Sequence, residues 1–225
     1  MIGQRFARIL GISRRKSAVC PSQSQFFDEQ LILVDEEDRI QGCLSKLKSH
    51  TIVDGKSPLH RAFSLFHFNS SKKLLIQKRS SVKVTFPNLW TNTCCSHPLY
   101  TLSEMDDKEG VKTAAKRRAE FELGLKLESK KIHHLTRILY SSNCSEDLAE
   151  NELDHCVLSF GEFDFSPNPN EVSDTKWLSK EDLKPFVNSE NVTPWFAKIV
   201  ESGLLQDWWK NLPNDLPSDD LIHKL

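Results

Sequence analysis

Apolar residues recur along this chain at two different spacings. The segment "QLILVDEEDRIQG" (30–42) opens with a short apolar run and passes into acids, which predicts a strand and a turn closed at Gly42. In "HRAFSLFHFN" (60–69), Phe63, Leu65 and His67 alternate with Ser64, Phe66 and Phe68. The period is two and both faces are largely apolar, so this strand is expected in the middle of a sheet covered on both sides. "KKLLIQKR" (72–79) follows a polar Asn-Ser-Ser turn and completes a hairpin with it. "IHHLTRILY" (132–140) and "NELDHCVLSFGEFDF" (151–165) read as two further strands. Helix formers fill 109–125, "EGVKTAAKRRAEFELGL", with Gly124 as the stop. "SKEDLKPF" begins with a capping box, Ser179 with Asp182, and "TPWFAKIVESGLLQDWW" (193–209) is expected as one C-terminal helix. Strands and helices mix without regular strand–helix–strand alternation, so the class is α+β with a mixed sheet.

Composition narrows the field. The chain has 225 residues, with 30 Lys and Arg against 31 Asp and Glu, and 38% hydrophobic residues. That length suits one large domain or two small ones and can bury a sizeable core. A dominant nucleic-acid role would show as a basic excess, which this balance lacks. No apolar run approaches the roughly 18 residues of a transmembrane helix. Six cysteines are too sparse for a disulfide scaffold, and no secretory apolar region opens the chain, so the thiols are read as reduced and intracellular. Residues 1–27 carry Arg5, Arg8, Arg14, Arg15 and Lys16 with no acid before Asp28, which predicts a disordered basic tail or an import peptide. The chain closes on His223-Lys224-Leu225 after a polar stretch, a variant of the Ser-Lys-Leu peroxisomal address. The domain is therefore expected over 28–212, with 213–225 as a second tail.

Four groups of residues break the structural pattern. In the helix the apolar stripe runs Val111, Ala115, then Arg118 and Glu122, so two charges continue a face that should be buried. A solvated i,i+4 ion pair explains them equally well. Glu150, Glu152 and Asp154 share one strand face with Cys156 and Leu158. Glu150 and Glu152 are either paired oxygen ligands for a cation or, with Asp154, the acidic edge of a sheet. His50, His60 and His97 come from three separate segments, and with two glutamates they would make a mixed N/O set for a divalent ion. Lys46, Arg79, Lys83 and Arg118 are ordinary surface charges one by one, and together would suit a diphosphate. Finally, "WTNTCCSHPL" (90–99) sets Cys94 and Cys95 side by side, and adjacent side chains cannot both serve one role.

These stretches closely resemble the type I isopentenyl-diphosphate delta-isomerase family, a branch of the Nudix fold. The likeness runs from about Gln30 to Trp209 and includes "HRAFS", "LLIQKRSSVKVTFP", "WTNTCCSHPLY", "GVKTAAKRRAEFELG", "ENELDH" and "VTPW". It implies a single Nudix-like α+β domain, a mixed sheet flanked by helices, that isomerises isopentenyl diphosphate to dimethylallyl diphosphate. By position, His50, His60, His97, Glu150 and Glu152 correspond to a metal site. Cys95 corresponds to the catalytic thiol, Glu152 to the opposing acid and Tyr140 to the tyrosine that orients it. Lys46, Arg79, Lys83, Ser96 and Arg118 correspond to substrate-binding positions, Glu122 to a ligand of the diphosphate's cation and Trp195 to the wall beside the hydrocarbon. The implied cofactors are Mg²⁺ on the diphosphate and a second divalent ion, Mg²⁺, Mn²⁺ or Zn²⁺, at the His/Glu site. The implied partners are a small allylic or homoallylic diphosphate and an import receptor, with no nucleic acid and no membrane, for a monomer. Peroxisome is the expected location, with cytoplasm and then mitochondria as alternatives. Departures from the family pattern are Ser49 before the first histidine, a shorter His50–His60 loop, Ala119, and Asn88 where glycine is common; Asn tolerates the positive φ expected there. The rivals are a Nudix hydrolase, which needs paired helix acids where this chain has Phe121-Glu122, and an impaired isomerase-like paralogue.

Overall fold

The structure, a computed structural model, describes residues 19–225; residues 1–18 of the expected basic tail lie outside them. All nine residues of strand β3 (His60–Phe68) are buried. Its period-two pattern explains why. Phe63 and Leu65 face helix α3 (Asp107–Leu123) through Val111, Ala115, Ala119 and Leu123. Phe66 and Phe68 face the C-terminal helices through Phe196, Trp208 and Trp209. Each such large side chain removed from water contributes roughly 1.5–3 kcal/mol, so the two faces together clamp β3 in the middle of the molecule.

The sheet is mixed, as expected of this α+β domain. β3 runs parallel to β8 (Ala149–Phe160) along its whole length, from His60↔Glu152 to Phe68↔Phe160. β7 (Ile132–Asn143) lies antiparallel to β8, and β1 (Gln30–Val34) with β2 (Ile40–Ser45) continues the sheet beyond His60. Gly42 sits inside β2 and does not close the turn before it. The expected hairpin holds only at its tip: β4 (Leu74–Arg79) pairs with β3 at Leu74 and Leu75, then leaves it for β5 (Trp90–Thr91), while β9 (Val172–Leu178) pairs along the length of β4. The vacated side of β3 is taken by β6 (Cys94–Ser96), which pairs with Phe63–Leu65. This splay opens a cleft between the ends of β4, β6 and β8.

Local signals set several boundaries. Helix α3 stops at Gly124, which has φ 68°, a left-handed conformation that favours glycine. Asn88 has φ 62°, the positive φ expected at this position. The capping box forms, with Ser179 Oγ accepting from the Asp182 N–H at the start of α4 (Lys180–Ser189). The single helix expected over 193–209 is two, α5 (Pro194–Glu201) and α6 (Leu204–Lys210), because Gly203 turns left-handed at φ 85° between them.

Both expected tails need correction within the described residues. Pro21–Ser24 form a short helix, α1, with Gln23 and Phe27 buried, so packing begins before residue 28. At the other end, β10 (Ile222–Lys224) adds a parallel strand to the edge of β7, in register Ile222↔Arg137 to Lys224↔Leu139. Lys224 pairs with Glu36 at 2.6 Å, and Ile222 packs against Ile32, Val34 and Leu153. An otherwise unpaired edge and a small apolar contact suffice to order a polar segment whose sequence carries no strand pattern. No helix among the described residues is long and apolar enough to cross a membrane.

Candidate active site

The parallel register of β3 with β8 sets the first histidine of one strand against the glutamates of the other. His60 is level with Glu152, and strand alternation brings Glu150 and Asp154 to the same face. Helix α2 (Lys46–His50) ends on His50, and the turn after β6 supplies His97. His50 Nε2 lies 3.0 Å from Glu150 Oε2, His97 Nε2 2.8 Å from Glu152 Oε1, and His60 Nε2 3.6 Å from Glu152 Oε1. One ligand atom from each of these five buried residues lies within 4.8 Å of all the others. His50 Nδ1 and His60 Nδ1 approach backbone oxygens, of Lys46 at 2.8 Å and Pro58 at 2.9 Å, which turns both Nε2 lone pairs to the common centre. His60 Nε2 and Glu150 Oε2 are buried without a hydrogen bond. Three imidazoles and two carboxylates around such orphaned atoms fit a divalent metal ion.

Burial lowers the His50 imidazole, but Glu150 and Glu152 outweigh it and raise it, so the two carboxylates favour positive charge at this centre. Burial pushes the His97 imidazole well below its usual range, and His50 and His60 push it the same way, keeping it neutral as a ligand must be. Burial opposes ionisation of Glu152, but the His60 ring 3.6 Å away, with Glu150 and the Tyr140 hydroxyl, outweighs it and holds the carboxyl at about 2. Tyr140, level with Glu152 on β7, donates its hydroxyl to Glu152 Oε2.

Cys95 faces this pair across the cleft, and Cys94 does not. They are neighbours in β6, so their side chains take opposite faces. Cys94 is fully buried beneath α3 among Leu65, Val111 and Ala115. Cys95 lines an open cleft of about 800 Å³ with Tyr140, Glu150, Glu152 and Trp195. Burial raises its thiol to about 12 against the opposing pull of Arg79, so it is held as a neutral S–H. Trp195 is fixed by its indole N–H, which donates to Asn92 Oδ1 at 3.0 Å, while Asn92 donates to the carbonyls of Leu65 and Cys94. The Arg79 guanidinium lies 5.6 Å from the Trp195 ring centre, so this aromatic wall already faces a cation.

The far end of the cleft is basic. Lys46, Arg79, Lys83, Ser96 and Arg118 all line it. The two charges on the stripe of α3 are a buried pair and not a solvated one: Arg118 reaches Glu122 at 2.6 Å, with exposures of 3% and 1%. Glu122 also accepts from Gln77 at 3.1 Å and stands behind Arg118 and Lys83, away from the cleft wall. Glu171 is a second buried carboxylate in this group, 2.5 Å from Lys83 and 3.4 Å from Arg118. Burial and the charges of Arg118 and Lys83 depress the Lys46 ammonium to about 8, against Glu29 and Glu171. An anion entering here meets more positive charge than its carboxylates neutralise at the wall.

The structure thus brings the expected metal, thiol and substrate-binding residues into one cleft, with His60 and Glu122 just behind its wall. Glu171, Gln23 and Asn92 join the site without any expectation from the sequence, and Asp154, expected on the same strand face, joins it with no role assigned. Asp154 continues the Glu150–Glu152 face and was legible as such; Glu171 sits in a polar loop, Asn92 in a loop between short strands and Gln23 in the expected tail, where periodicity carries no signal.

Comparison with known proteins agrees with this geometry. Residues 58–201 match the NUDIX domain family. The chain is 39% identical over 217 residues to isopentenyl-diphosphate Delta-isomerase I of Clarkia breweri, covering 88% of this chain and 75% of that protein. It is 40% identical over 216 residues to isopentenyl-diphosphate Delta-isomerase 1 of Bos taurus, covering 90% and 95% respectively. Among solved structures, DR0079 from Deinococcus radiodurans superposes with a TM-score of 0.55 at 22% identity, covering 77% of this chain and 98% of that one, a likeness of fold alone. On sequence and fold together, the chain belongs to the type I isopentenyl-diphosphate delta-isomerases of the Nudix superfamily.

Proposed function

We propose that the protein converts isopentenyl diphosphate to dimethylallyl diphosphate, moving the double bond from C3–C4 to C2–C3. The observation that carries this reading is the pairing of the Cys95 thiol with the Glu152–Tyr140 couple in one cleft whose other end is basic. The reaction adds a proton at C4 and removes one from C2. An alkene is a very poor base, so protonation makes a tertiary carbocation, and both proton-transfer groups must act in a site that excludes water. The reaction is reversible, so the group that donates in one direction accepts in the other; Cys95 and Glu152 are the two groups. Tyr140 holds the Glu152 carboxyl in place through its hydroxyl. The Trp195 face, kept in position by Asn92, stabilises the cation by roughly 2 kcal/mol or more in a desolvated site. Lys46, Arg79, Lys83 and Arg118 grip the diphosphate, and this remote binding energy supports the unfavourable ionisation.

His50, His60, His97, Glu150 and Glu152 would hold one divalent ion, Mg²⁺, Mn²⁺ or Zn²⁺. Bound there, the ion would acidify the proton shared between Glu152 and Tyr140. Glu122, expected as a ligand of the Mg²⁺ that accompanies the diphosphate, stands behind Arg118 and Lys83, so it would reach that ion only once Arg118 turns from it to the phosphates. The protein is proposed to act as a monomer.

Isomerisation without hydrolysis is the expected outcome of product analysis with isopentenyl diphosphate and Mg²⁺. Phe121 replaces one of the paired helix acids and Glu122 is tied to Arg118, which leaves a hydrolase short of carboxylates. Dimethylallyl diphosphate should accumulate, with deuterium from heavy water entering the carbon skeleton. Phosphate or a monophosphate as the main product would move the protein to the hydrolase reading.

For location, the proposal is import into peroxisomes through His223-Lys224-Leu225. An import receptor reads an extended, free C-terminus, whereas here Leu225 N–H donates to the Leu139 carbonyl and Lys224 is paired, so β10 must peel from β7 before it is read. An N-terminal fluorescent fusion should be punctate in cells and diffuse once Leu225 is deleted. A diffuse signal from the intact chain would place the protein in the cytoplasm.

A further inference from the structure

Phe26 belongs to the segment expected as a tail and takes no part in the chemistry above, yet it lines the cleft with Gln23 and Phe27. Its ring centre lies 5.4 Å from the Arg118 guanidinium carbon and 5.8 Å from Lys46 Nζ. Phe121, on the outer face of α3, meets Arg118 at 4.9 Å and Phe26 edge-to-face at 5.5 Å. The segment that carries Phe26 is tied down on both sides. Gln23 Nε2 donates to Glu171 Oε1 at 2.9 Å and to the Asn170 carbonyl at 3.1 Å. The backbone N–H groups of Lys46 and Leu47 donate to the carbonyls of Glu29 and Phe27, at 2.8 and 3.2 Å. Phe26 therefore bridges the two cations that belong to different elements, one from α2 and one from α3.

We propose that Phe26 is a positioning residue for diphosphate recognition, holding Lys46 and Arg118 against one aromatic ring so that both charges are set before the phosphates arrive. Two cations brought together repel; Arg118 is held by Glu122 and Glu171, whereas Lys46 has the looser hold of Glu29 at 3.7 Å and keeps more of its rotamer freedom. A ring whose face is negative attracts both, and in doing so offsets the repulsion and limits the rotamers. Bulk is not enough for this: leucine would fill the same space with no electrostatic face. The dependence on aromaticity separates positioning from simple packing.

The inference rests on the basic end of the cleft binding a diphosphate, and its test is separable from the isomerase reading. Full-length protein and the variants Phe26→Leu and Phe26→Tyr are titrated with inorganic pyrophosphate and Mg²⁺ by calorimetry, then assayed with isopentenyl diphosphate. The two cation–π contacts together correspond to roughly tenfold in affinity. Phe26→Leu should weaken pyrophosphate binding and raise KM by about that factor, with kcat and the melting midpoint unchanged. Phe26→Tyr should restore both. Wild-type affinity in Phe26→Leu would overturn the proposal, as would a loss that follows a lower melting midpoint and is not restored by tyrosine. Wild-type protein that binds pyrophosphate but turns over no isopentenyl diphosphate would sink the isomerase reading and leave Phe26 standing.

Discussion

Cys95→Ala is expected to lower turnover by about 10²–10⁴-fold, the usual contribution of a positioned proton-transfer group, while Cys94→Ala keeps most of the activity. The asymmetry follows from β6, where successive side chains point to opposite faces of the sheet. Cys95 is the one in the cleft with Glu152 and Tyr140, 3.6 Å from Arg79. Its thiol is held protonated by burial, so it carries a transferable proton at neutral pH. Alanine cannot carry a proton, and water is a poor substitute in a site that must exclude it. Cys94 is fully buried and packs under α3, so alanine there removes one sulfur from the core. That loss costs on the order of 1 kcal/mol of stability and lies on the far side of the strand from the reacting carbons. Rates of both variants, measured at matched metal content and pH, decide the matter. A dead Cys94→Ala beside an active Cys95→Ala would reverse the assignment of faces.

The second large effect is expected at the metal centre: His60→Asn should lower bound metal and activity together, each by well over tenfold. Even residues that only support a ligand change affinity by about 10–100-fold when replaced, and His60 offers a ligand atom of its own. Its Nε2 is buried without a hydrogen bond and turned to the centre by the contact of Nδ1 with the Pro58 carbonyl. Asparagine is shorter and removes that lone pair. The remaining four ligands still include two carboxylates, so some ion is retained at high concentration. Elemental analysis after dialysis, set beside the rate, reads both quantities on one sample. Full metal content with normal activity in the variant would show that these five residues hold no functional ion. In the wild type, dialysis against a chelator should abolish turnover and added divalent metal should restore it.

Much of the scaffold was legible in local patterns. The period of two through Phe63–Phe68 announced a strand covered on both sides, because each face had to meet its own apolar partner. Gly124 ended a helix and Ser179 began one for reasons confined to a few residues of backbone. Gly203 carries the same local signal inside an apolar helical pattern, and the helix breaks there. The spacing of Arg118 and Glu122 placed them on the buried stripe, but solvated and buried ion pairs share that spacing. Only the packing of α3 against β3 and β6, with Lys83 and Glu171 closing over the top, made the pair an interior one.

The site itself depended on distance along the chain. Sequence alone determined that Cys94 and Cys95 diverge, that Glu150, Glu152 and Asp154 share a face, and, through resemblance, which residues to watch. Tertiary structure decided that His50, His60 and His97 converge on those glutamates, because that convergence is a matter of strand register, β3 alongside β8, and of the turns that deliver α2 and the end of β6. It also decided that Gln23, Phe26, Glu171 and the β10 strand belong to the folded domain. Their segments are short and polar, with no apolar period of their own, and they are ordered largely by contacts with residues far along the chain, 148 positions apart for Gln23 and Glu171 and 188 for Lys224 and Glu36. Periodicity records how a segment meets its nearest layer; the pairing of side chains from distant segments is set only when the sheet closes and loop entropy has been overcome by that shared burial.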